Sequence, residues 1–102
     1  MGEAQQAQEP RTERLKAALA SRDIPHIYAN GFMNALSDAD IVVMLERDNS
    51  PVAILNMSYT TAKSLAEKLS HLISAFEKNS GQTIMTSDDV NKALSQRTEG
   101  QP

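Results

Sequence analysis

Between Ile27 and Phe76 the apolar residues fall into three short runs separated by two polar breaks, and then into one long stripe. The spacing predicts strands over Ile27–Leu36, Asp40–Arg47 and Pro51–Met57, since short apolar runs bounded by turn residues suit a sheet. Ser37-Asp38-Ala39 forms the first break, where an Asp side chain can bond the backbone two residues on. Asp48-Asn49-Ser50 forms the second. Pro51 opens the third strand, a position at which its missing N–H removes no ladder bond. Connections this short make a three-stranded antiparallel meander the simplest topology.

The stripe predicts a helix from a Ser58 cap to Lys78. The Ser58 hydroxyl can accept from an orphan amide of the first turn. Ala62, Leu65, Ala66, Leu69, Leu72, Ile73 and Phe76 recur at the helical period and give a wide apolar face. Asn79-Ser80-Gly81 then stops the helix, because Gly takes the left-handed conformation at little cost. A coiled-coil seam would fit the same spacing, but over two heptads only, and Ala66 and Ile73 widen it into a face suited to a sheet. The expected fold is α+β: a three-stranded antiparallel β-meander followed by one long amphipathic helix packed on one sheet face, with short terminal helices.

The flanks carry less to bury. Met1–Pro10, rich in Gln, Ala and Glu, are expected to be disordered. Thr12 can cap a short helix with Leu15, Ala18 and Leu19 on one side, ending near Arg22 ahead of Ile24-Pro25. After Gly81, Thr83-Ile84-Met85 is too brief to assign as strand. Thr86 or Ser87 can cap a last helix from Asp88 to Gln96, with two acids where the helix dipole favours them, and the tail beyond Arg97 should be loose. The chain thus divides into an N-terminal arm (1–25), a β-β-β-α core (26–79) and a C-terminal helix with its tail (80–102).

Period two sorts the strand residues by face. Ile41, Val43 and Leu45 point one way and Val42 and Met44 the other; Val52 and Ile54 oppose Ala53, Leu55 and Met57. An even hairpin loop keeps these sets together, so both faces of the hairpin are apolar. One helix covers one face, and the terminal helices are poor in apolar residues. A homo-oligomer, in the first place a two-fold dimer, is expected. The alternative is a monomer on which Leu15–Leu19 and Val90–Leu94 fold back as a lid.

Composition narrows the class. At 102 residues the chain is one domain at most, and without cysteine it has no disulfide or thiolate metal site. No run has membrane-helix length and no basic-then-apolar leader opens the chain. Met1-Gly2 suggests myristoylation, but Gln6 stands where that motif needs Ser or Thr. A cytoplasmic protein is the expectation. The net charge of −3 and the absence of a basic stripe argue against nucleic acid, and Tyr28, Phe32, Tyr59 and Phe76 are not interleaved with Lys or Arg.

Catalytic chemistry is thin. Glu67 and His71, four apart on the long helix, are half of a metal site without a second pair and read as an exposed helix pair. His26 lies far from them in sequence, and Ser70 beside His71 points elsewhere. Asp38 and Asp40 lack the Gly and Glu of a calcium loop and read as turn residues. Gly31 suggests a bulge or a close backbone approach. Met33, Met44 and Met57 read as core fillers, though Met also suits adaptable binding surfaces. Asn30, Asn34 and Asn56 are polar members of apolar strands, read as strand-end or wet-edge residues. No catalytic, cofactor-binding or metal residue is assigned.

Taken together, Ile27-Tyr28-Ala29-Asn30, the acid-bounded second strand, Pro51–Met57 and Ser58-Tyr59-Thr60-Thr61-Ala62-Lys63-Ser64-Leu65 resemble a family of small bacterial proteins known only as a domain of unknown function. Its members begin with a Tyr-Ala-Asn or Tyr-Ser-Asn strand, enter the helix through Ser or Thr commonly followed by Pro, and continue Ala-Lys-x-Leu. Tyr59 stands where that Pro is usual. The resemblance spans residues 27–78 and implies a bacterial sheet-plus-helix domain with no established reaction. The expected function is a non-enzymatic oligomeric interaction module that binds a protein partner on a sheet face or edge. The alternative is a small-ligand-binding protein or enzyme whose site forms between subunits from Asn30, Asn34, Tyr28 or His26.

Overall fold

The structure, a computed structural model, describes the backbone of residues 2–99 and the side chains of residues 10–96. Its elements are α1 (Gly2–Ala20), β1 (Gly31–Leu36), β2 (Ile41–Arg47), β3 (Ser50–Met57), α2 (Tyr59–Ser80) and α3 (Ser87–Glu99). The three strands form one antiparallel sheet in the order β1-β2-β3, so β1 and β3 are both edges. The fold is α+β, as expected.

The two turns differ in how they close. Arg47 pairs with Ser50, leaving a two-residue loop of Asp48 and Asn49 with φ of 52° and 69°. Positive φ at both central residues gives the turn whose twist matches that of the strands. The first loop runs from Ser37 to Asp40: the Ser37 N–H donates to the Asp40 carbonyl at 2.9 Å, and the Asp40 N–H donates to Ser37 Oγ at 3.1 Å. Asp38 and Asp40 therefore belong to a turn. On β3 the register skips Val52, since Leu45 pairs with Ala53 and Glu46 with Pro51. Pro51 sits at this bulge, where a missing N–H is tolerated.

The register joins Ile41, Val43 and Leu45 to Met57, Leu55 and Ala53, with Leu36, Asn34 and Phe32 beyond them on β1. The opposite face carries Met33, Ala35, Val42, Met44 and Ile54, and with them Asn56. Both faces are apolar.

Helix α2 has the expected caps and runs two residues past the expected Lys78, to Ser80. Ser58 Oγ accepts from the Thr61 N–H at 3.1 Å, and Gly81, at φ 73°, donates its N–H to the Glu77 carbonyl. In α3, Thr86 Oγ1 accepts from the Asp89 N–H while Asp89 Oδ2 accepts from the Thr86 N–H, both at 3.1 Å, a reciprocal cap.

Four expectations need correction. The first strand starts at Gly31, not Ile27, since only from Asn30 onward does the backbone reach β2, through the Asn30 N–H to the Glu46 carbonyl at 2.9 Å. Helix α1 is longer than the expected Thr12-capped helix: it begins at Gly2 and runs through Pro10, ending at Ala20. Gln, Ala and Glu propagate a helix readily, which offsets part of the cost of an interior Pro. Gly31 marks no close approach, since a Cβ there would stand 3.6 Å from the Glu46 Cβ, an ordinary contact. At the C-terminus α3 extends to Glu99, past the expected Gln96, and the rest of the expected loose tail, residues 100–102, lies outside the described residues.

No residue among those described is buried. The most shielded segment is Ile41–Glu46 on the central strand, and even this is only half-buried. The accessible surface is 9263 Å², against about 5,700 Å² for a compact monomer of 11.2 kDa. The radius of gyration is 18.0 Å, where a compact chain of this length has about 13 Å.

Candidate functional site: the groove between sheet and helix

A wide concave feature follows from where α2 starts. Ser58 ends β3 and caps the helix at once, and the Tyr59 hydroxyl donates to the Ser37 carbonyl in the β1–β2 turn. This tie pins the first turn of α2 beside the end of the sheet and carries the helix over the Ile41/Val43/Leu45 face.

Between that face and α2 lies an open groove of about 640 Å³. Its helical wall is Ala62, Leu65, Ala66 and Leu69, and its floor includes Val43 and Leu55. Ala62 and Ala66 are small, so the space between helix and sheet stays unfilled. No charged residue lines the groove; Asn30 and Asn34 are its polar members. Such a surface offers no general acid, base or nucleophile. It can bind apolar matter and offer a few hydrogen bonds.

Of the residues grouped for an intersubunit site, Asn30 and Asn34 share the groove, while His26 lies in a different hollow. Asn30 spans the sheet: its Nδ2 donates to Asp48 Oδ1 at 3.0 Å and its Oδ1 accepts from the Asp48 N–H at 2.9 Å. It clamps the β2–β3 turn. Asn34 faces the groove, while Asn56 lies opposite Val42 on the other sheet face. His26 lies in a separate hollow with Leu15 and Leu19 of α1. Tyr28 is exposed. Among the described residues no three His, Cys, Asp or Glu side chains converge to hold a metal ion. Glu67 and His71 are both exposed on α2. Met33 and Met44 share one sheet face and Met57 lies on the other; none is buried.

Sequence reasoning missed two features. The Asn30–Asp48 clamp and the Tyr59–Ser37 tie join residues 18 and 22 apart, and no local pattern announces either. The groove-facing pair on β1, Phe32 and Asn34, was legible, since residues two apart on a strand share a face.

No protein-family model matches the chain, and neither does any curated protein or solved structure. The resemblance of residues 27–78 to a bacterial family therefore rests on the sequence motifs alone. Among the described residues no helix is long and apolar enough to cross a membrane.

Proposed function

We propose that this chain is a non-enzymatic, cytoplasmic subunit of a homo-oligomer, a two-fold dimer in the simplest case, acting as a protein-interaction module. The observation that carries the proposal is a set of apolar faces without a core. Both sheet faces and the α2 stripe are apolar, yet no described side chain is buried. Exposed apolar area of this extent marks an interaction surface. The unpaired edges β1 and β3 add a second mode, in which an extended segment of a partner protein joins the sheet by backbone bonding. Kinship with the bacterial family that residues 27–78 resemble belongs to the same proposal.

A second reading, a small-ligand site completed between subunits, draws support from the groove, whose volume lies in the usual range for small-molecule sites. Asn30 and Asn34 share the groove, but His26 lies in a different hollow, which weighs against an enzyme built from all four residues. Sedimentation velocity on the full chain tests the main proposal: a dimer at micromolar concentration is expected, and a compact monomer overturns it.

A further inference from the structure

We propose that the groove between the sheet and α2 is filled by the C-terminal half of α2 from a second copy of this chain, the two copies exchanging helices reciprocally about a two-fold axis. The inference rests on the oligomeric reading above and names the occupant of its principal surface.

The apolar stripe of α2 outruns the groove. Of the apolar positions of α2, those up to Leu69 line the groove. Leu72, Ile73 and Phe76 continue the stripe for up to about 10 Å further along the axis, and they are 68%, 47% and 53% exposed respectively. Each copy thus presents an uncharged apolar groove and an apolar half-helix. A two-fold axis lets the half-helix of each copy enter the groove of the other, because such an interface uses the same patch on both subunits. An apolar small molecule in the groove would leave Leu72, Ile73 and Phe76 in water.

Area gives the second argument. Each chain exposes about 3,600 Å² more than a compact monomer of its mass (9263 Å² against about 5,700 Å²). Obligate dimer interfaces take about 2,000–5,000 Å² over both partners. Two chains therefore have surface enough to form such an interface.

Charge and size along the helix supply the third. Ala62, Ala66, Ser70 and Ser74 follow one another at four-residue steps, so one flank of the stripe is small and admits a second helix closely. Lys63, Ser70 and Glu77 share this flank at seven-residue spacing. In an antiparallel pair crossing at Ser70, Lys63 of each copy meets the partner's Glu77, which places opposite charges together at both ends of the contact.

The chain has no cysteine, so single-cysteine variants report the crossing cleanly. Under mild oxidation the Ser70→Cys variant should form a covalent dimer at least tenfold faster than Ser64→Cys, whose side chain lies on the far side of α2. In wild-type protein mixed from labelled and unlabelled copies, isotope-filtered spectra should show intermolecular contacts from Leu72 and Ile73 to Val43 and Leu55. A dimer that lacks those contacts, or links equally fast through both variants, overturns the helix exchange and leaves the oligomeric reading intact. Contacts through Met33 and Ile54 instead, or a small apolar molecule retained in native mass spectra, also overturn it. A monomer overturns both readings.

Discussion

Asn30 is the residue on which the sheet's far end depends. Its side chain both donates to and accepts from Asp48, while Asp48 and Asn49 hold positive φ. A non-glycine residue in that region is strained, and Asn and Asp tolerate it best because their short polar side chains bond locally. Asn30→Ala should lower stability by about 1–2 kcal/mol through the lost pair of hydrogen bonds. Asn49→Gly should be neutral or better, while Asn49→Val should cost about 1–2 kcal/mol. Urea unfolding at a single protein concentration checks all three. Equal stability of Asn30→Ala and wild type would remove the clamp from the account.

Helix α2 combines strong local signals with a long-range tie. Ser58 caps it, Gly81 ends it in the left-handed conformation, and Glu77 Oε2 accepts from the Ile84 N–H at 2.7 Å, holding the chain beyond the helix end. Ser58→Ala should cost about 1 kcal/mol, the usual worth of such a cap, read as a lower urea midpoint with an unchanged slope. Helix α1 is the contrasting element. Pro10 lies inside it, and an interior Pro costs about 3 kcal/mol relative to Ala. Pro10→Ala should therefore strengthen the helical circular-dichroism signal at 222 nm. An unchanged signal would mean that the turns before Pro10 add no helix in solution.

For the molecule as a whole, the surplus surface and the long radius of gyration have one physical consequence. A chain of this length leaving its apolar groups in water lacks the burial that offsets conformational entropy. In the proposed oligomer a second copy supplies it, and stability then depends on concentration by mass action. The thermal midpoint should rise by several degrees between about 1 and 100 μM protein, since each tenfold step adds about 1.4 kcal/mol per dimer. Calorimetry over that range is the check, and a midpoint independent of concentration contradicts the oligomer.

What the sequence determined by itself was local. The two breaks, the Ser58 and Gly81 ends of α2 and a last cap at Thr86 or Ser87 each depend on residues within a few positions, and the sorting of strand faces depends only on period two. That both faces are apolar was legible for the same reason. Tertiary structure alone decided where α2 lies, since the stripe specifies an apolar face and not the surface it meets. The Tyr59–Ser37 tie chose the Ile41/Val43/Leu45 side, and the stop of the groove at Leu69 left Leu72, Ile73 and Phe76 without a sheet in their own chain. Asn30 read as a strand-end polar residue until the fold brought Asp48 to it. Contacts between residues 18 or more positions apart have no sequence period, so only the folded chain reveals them.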